Sequence, residues 1–149
     1  MGYAERVHEG LDAGFNCAES IVAAFAAVVG ASYEQLVRAA TPFGAGLGCT
    51  GNVCGLVSGA AIVLGTAIGR SDPNDVATKE RAYGAVRELI GEVEAAAGSI
   101  LCTGILGADL GDPDERQRAI AEELFLERCR PIADVTVATL VRLLDLPES

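Results

Sequence analysis

From Val53 to Gly69 the chain runs 17 residues without a charge and is rich in Gly and Ala. An apolar run of that length with no two-residue alternation reads as a helix buried on all sides, here over about 53–68, with Asn52 as its cap. Small side chains let neighbouring backbones come close, so helices, more than a sheet, must cover it. Gly55/Gly59 and Gly65/Gly69 are GxxxG pairs, a spacing that also joins helices in membranes. Seventeen residues is marginal for crossing a bilayer. Charged, capped helices on either side favour a central core helix and no membrane insertion.

The flanking sequence supplies those helices. Tyr3–Ala13 carries Val7 and Leu11 at i, i+4 and ends at Gly14. Asn16, with Glu19 three residues on, is a capping-box pattern. It starts a helix through Ile21, Val22, Phe25 and Val28 to Gly30. Ser32 and Gln35 open a short helix to Ala40, stopped at Thr41-Pro42. Gly44–Gly51 is a flexible loop. Asp72-Pro73 reads as a cap followed by an N1 proline, opening a helix to Ala97 with Val76, Tyr83, Val86, Leu89, Ile90 and Val93 on one face. Ser99 is placed to cap a short helix to Leu106. Asp112-Pro113 opens another, with Ile120, Leu124 and Phe125 inward, interrupted at Cys129-Arg130-Pro131. Ile132–Leu144 is the last. No stretch alternates long enough for a strand, so the expectation is an all-α bundle in a single domain over residues 1–149.

A net charge of −10 argues against nucleic acid, whose phosphates require clustered Lys and Arg, and equally against anionic membranes. The start, MGYAERVHEG, has charges where a signal peptide is apolar. The compartment expected is therefore the cytoplasm, where thiols stay reduced. Five cysteines in such a setting read as metal ligands or redox thiols more naturally than as disulfide staples.

The positions of those cysteines carry the functional argument. Cys17, Cys54 and Cys102 fall in expected first turns, and Cys129 lies between Arg128 and Arg130. Free N–H groups and the helix dipole stabilise anions at an N-terminus, which lowers a thiol's pKa. No CxxC is present, so any site must be assembled from distant segments. Cys49 and Cys54 are separated by four residues, a spacing a loop could fold into a ligand pair. Cluster binding through four cysteines is chemically reasonable. Gly44, Gly46, Gly48 and Gly55 would let backbone N–H groups approach its sulfurs. Ordinary core packing of small thiols is the competing explanation.

FNCAES at 15–20, FGAGLG and GNVCGLVSG within 43–59, GSILC at 98–102 and the late Cys129 together resemble the redox-active family named C_GCAxxG_C_C. Its central cysteine–glycine motif corresponds to Cys54-Gly55-Leu56-Val57-Ser58-Gly59, with leucine at 56 where the family name implies a small residue. The resemblance implies that Cys17, Cys54, Cys102 and Cys129 are the characteristic set, with Cys49 an additional thiol that could also be a ligand. A related four-cysteine module resembles the part of split-Soret cytochromes that holds an iron–sulfur cluster, which implies such a cluster here. Covalent haem is not implied, since no CxxCH occurs.

Other features have simpler explanations. The glycine loop lacks the preceding strand and Gly-Lys-Ser/Thr of a nucleotide cradle. His8 sits on a charged helix and reads as solvated. Asp109, Asp112, Asp114 and Glu115 lack EF-hand spacing, and Glu122 and Glu123 read as a wet face. The expected function is a small redox protein that holds an iron–sulfur cluster for electron transfer to a partner not identifiable from sequence. The alternatives are a metal-free thiol–disulfide oxidoreductase using the same cysteines, and a non-catalytic helical interaction module. Small-residue helix faces also suit a homodimer.

Overall fold

A computed structural model describes residues 1–147. Among them the chain forms eight α-helices: α1 Tyr3–Ala13, α2 Cys17–Phe25, α3 Tyr33–Ala40, α4 Gly55–Ile68, α5 Val76–Ala97, α6 Cys102–Leu106, α7 Pro113–Ala121 and α8 Leu124–Leu143. A 3-10 turn at Thr41–Phe43 follows α3. The all-α expectation holds. The only extended pairing among the described residues is one isolated antiparallel bridge, Val53 to Leu101.

Helices α2 and α4 are the centre. Their contact is set by glycine: a Cβ on Gly59 would lie 2.8 Å from the Ala18 carbonyl oxygen and 3.0 Å from its Cα. The backbones therefore touch where a side chain would otherwise stand, as the Gly55/Gly59 spacing suggests. Gly65 has open space around it, so the second GxxxG pair makes no such contact. Ile21, Val22 and Phe25 of α2 join Leu56, Val63 and Leu64 of α4 in the core. Leu89 and Val93 of α5 and Ile132, Val137 and Leu140 of α8 close it. Tyr3 of α1 stacks on Phe25, with ring centroids 4.6 Å apart.

Several expected boundaries move, each for a local reason. Helix α2 ends at Phe25, and turns, not helix, lead to Gly30. Helix α4 begins at Gly55 with Cys54 as its cap, because Asn52 and Val53 are drawn into pairing with the segment before α6. Asp72 accepts the Asn74 amide in a turn, and Asp75 caps α5 by accepting the Thr78 amide. Val76 and Tyr83 are exposed rather than on the inner face. Ser99 accepts the Leu101 amide, so the helix cap falls on Leu101. Helix α7 opens at Asp112-Pro113 as expected, but Ile120 points to solvent. The break between α7 and α8 comes at Glu122–Glu123, where Glu123 takes a left-handed φ of 55°. Helix α8 then continues through Pro131. A proline inside a helix costs one hydrogen bond, and burial of Cys129, Ile132 and Ala133 around it offsets that loss.

Candidate redox centre

The bridge before α4 and α6 assembles half of the site. The Cys54 amide donates to the Ile100 carbonyl at 2.7 Å, and the Cys102 amide donates to the Asn52 carbonyl at 2.7 Å. Successive residues of paired extended chain face opposite sides. Val53 and Leu101 face solvent, while Cys54 and Cys102 are 2% and 5% exposed. Two thiols at separate helix starts thus turn to the same interior.

The capping box expected at α2 places the third. Asn16 Oδ1 accepts the Glu19 amide at 2.8 Å, and Glu19 Oε1 accepts the Asn16 amide at 2.9 Å. The same pair grips the segment ahead of the glycine loop. Asn16 Nδ2 donates to the Thr41 carbonyl at 3.1 Å, and the Thr41 hydroxyl donates to Glu19 Oε2 at 2.8 Å. Cys17, the first residue of α2, is half-buried against α4. A Cβ on Gly55 would stand 3.2 Å from the Cys17 Cβ.

Cys129, buried on α8, completes the set. Its neighbour Arg130 turns away to α1, donating to Asp12 and to His8 Nδ1 at 3.1 Å. His8 Nε2 lies 2.7 Å from Asp134 Oδ1. His8 is therefore a partnered residue fixing α1 to α8, not a solvated one. Arg130 is spent on that contact and offers no charge to the thiol.

Cys17 and Cys129 lie close enough for each to shift the other's ionisation. That contact pushes Cys17 well above its ordinary 9.0, with burial and the other three thiols adding to it. It draws Cys129 downward against the effect of burial. Burial, with the charges of Cys54, Cys129 and Cys49, raises Cys102 to about 12. Burial raises Cys54 to about 11, although the N–H groups of Leu56 and Val57 pull the other way. Low pKa values expected from first-turn positions are thus overturned for three of the four. Desolvation in a packed interior outweighs the few free N–H groups of a helix end. Cys129 alone moves down, through Cys17 and not through the adjacent arginines.

Residues 15–143 match the family described as "Putative redox-active protein (C_GCAxxG_C_C)". The chain belongs to this family. No curated protein and no solved structure matches it. The matched span takes in all five cysteines of this C_GCAxxG_C_C protein, and the four that converge are those on which the sequence resemblance rests.

Cys49, the fifth, is half-buried on a loop of unusual backbone. Ala45, Gly46, Leu47, Gly48 and Cys49 all have φ between 51° and 74°. Three of those are not glycine, and each costs roughly 1–2 kcal/mol in that conformation. The loop is held by its own bonds: Gly48 donates to the Pro42 carbonyl at 2.8 Å, Cys49 to Gly44 at 3.1 Å and Asn52 to Gly46 at 2.9 Å. The Gly44 and Gly48 amides are therefore spent on carbonyls of their own segment and not on sulfur. Gly44 is required by fit, since a Cβ there would overlap the Asn16 side chain.

The acidic run near Asp109 has structural employment. Asp109 accepts the Gly111 amide and Asp112 the Asp114 amide, both at 2.9 Å. Glu115 pairs with Arg118 at 2.8 Å. Two features escaped sequence reasoning: the 53–101 bridge, too short to leave a periodic signal, and the Cys17–Cys129 contact, which no local pattern encodes.

Proposed function

We propose that this protein is a two-electron redox carrier in which Cys17 and Cys129 cycle between dithiol and disulfide, with Cys54 and Cys102 beside them. The supporting observation is that Cys17 of α2 and Cys129 of α8, far apart in sequence, come close enough to shift each other's ionisation. Membership of a redox-active family agrees with this reading.

A second reading keeps the iron–sulfur cluster. Its support is that one half-buried and three buried thiols act on one another's ionisation, with no cation among the groups that shift it. Such thiols stay neutral as protonated groups or disulfides, or their thiolates are neutralised by metal. The donor set suits a cluster, and Cys17, Cys54, Cys102 and Cys129 would hold it, with the Leu56 and Val57 amides near Cys54. A bound cluster would supply one-electron chemistry. Among the described residues no three His, Cys, Asp or Glu side chains are grouped to hold a metal ion, so the four thiols would have to draw together around a cluster.

Purification without air, followed by iron, sulfide and thiol counts, separates the readings. Metal-free protein losing two thiols on mild oxidation supports the dithiol. Brown protein with iron and sulfide supports the cluster. Metal-free protein whose thiol count does not change sinks both. Among the described residues no helix is long and apolar enough to cross a membrane; a homodimer and a cytoplasmic location stay part of the proposal.

A further inference from the structure

A cleft of about 720 Å³ lies at the far ends of α4 and α8 and touches no cysteine. A smaller cavity of about 190 Å³ does: Cys17 is part of its wall. Leu11, Phe15, Ala45, Phe125 and Leu126 supply the rest of the lining, with Asn16 as the one polar side chain. Both polar atoms of Asn16 are already bonded, Oδ1 to the Glu19 amide and Nδ2 to the Thr41 carbonyl. The cavity therefore offers a ligand carbon surfaces and one sulfur, and no charged side chain.

We propose that this cavity binds a small, uncharged, apolar disulfide and delivers it to the Cys17–Cys129 pair. The inference rests on the dithiol reading and names its substrate class. The pair gives up one proton to water, the other rests on Cys129, and Cys17 attacks one sulfur of the bound disulfide as the thiolate. The Cys17–S bond forms, the substrate S–S bond breaks, and the first thiolate leaves with the proton from Cys129. Cys129 then attacks the Cys17 sulfur and expels the second thiolate, which takes a proton from water. Two protein thiols are oxidised by two electrons, and one disulfide is reduced to two thiols. A charged reagent of equal size loses its hydration on entering and finds no partner.

The test compares neutral diethyl disulfide, cationic cystamine and anionic dithiodiglycolate with metal-free protein. Alkylation trapping and peptide mapping give the rate at which Cys17 and Cys129 become linked. Each rate is divided by that of the same reagent with the denatured chain, which removes intrinsic reactivity. The neutral reagent is expected to lead both charged ones by about tenfold, because charge is costly to strip of water. The net charge of −10 acting alone would put cystamine first. Leu126, 41% exposed at the cavity, provides the second arm: Leu126→Glu, with an unchanged circular dichroism spectrum, should abolish the neutral lead. Cystamine leading, or a Leu126→Glu protein that keeps the neutral preference, overturns the inference alone. No linkage between Cys17 and Cys129 with any reagent overturns the dithiol reading and the inference with it.

Discussion

The Cys54 amide and the Ile100 carbonyl, 2.7 Å apart, join the start of α4 to the segment that opens α6. With the reciprocal Cys102–Asn52 bond, this is what sets two thiols side by side. One step along, the Thr103 amide donates to the Gly51 carbonyl at 3.2 Å. A side chain at Gly51 would collide with the Thr103 hydroxyl, and its φ is 76°. Gly51→Ala should therefore cost about 2–3 kcal/mol, combining steric and backbone strain. Adding Thr103→Ala should recover the steric part only. Urea unfolding of both proteins, read as a double-mutant cycle, measures the coupling; strict additivity would contradict this packing.

Helix α4 offers two glycines with opposite expected responses. At Gly59 an added methyl meets the Ala18 backbone, which has no rotamer to adjust. Gly59→Ala should lose about 2 kcal/mol or more. At Gly65 the space is open, so Gly65→Ala should gain roughly 0.5–1 kcal/mol from helix propensity. Thermal unfolding of the pair should move the midpoint in opposite directions.

Alkaline pH should weaken the metal-free protein. Cys54 and Cys102 ionise near 9 when unfolded but only at about 11 and about 12 when folded. The unfolded chain therefore gives up these protons first. The stabilisation is complete below about pH 9 and fades as pH rises through 11 to 12. Each thiol loses about 1.4 kcal/mol of it per pH unit while ionised in the unfolded chain and still protonated in the folded one. Cys129, shifted down, works in the opposite sense but is countered by its partner Cys17. Denaturant midpoints between pH 7 and 10.5 should fall, and less steeply in Cys54→Ala.

Arg130 joins Asp12 and His8 on α1 to the turn of α8 that carries Cys129. Lysine cannot reproduce that two-point contact. Arg130→Lys should cost about 1 kcal/mol in unfolding free energy. It should also slow disulfide formation at Cys129, by loosening the register of α8 against α2. An unchanged oxidation rate would assign Arg130 to stability alone.

The parts of the fold written in adjacent residues were legible in sequence. The Asn16–Glu19 box, the Gly14 stop, the Ser32 cap and the Asp112-Pro113 start appear where read. The helix through Pro131 was not, because buried residues on both sides of the proline outweigh a lost hydrogen bond only once the core exists. The start of α4 was misplaced for a similar reason: Asn52 and Val53 are claimed by a partner segment far along the chain. The four cysteines could be named from sequence, but their ionisation could not. A first-turn position says how many N–H groups are near and nothing of how much water is gone.

The central claim is that Cys17 and Cys129 are redox partners. Metal-free protein treated without air with one equivalent of a neutral oxidant, then alkylated and mapped by mass spectrometry, tests it most directly. A Cys17–Cys129 disulfide is expected as the main product, with Cys49, Cys54 and Cys102 alkylated. Recovery of Cys17 and Cys129 as free thiols, with oxidation elsewhere or absent, would contradict it.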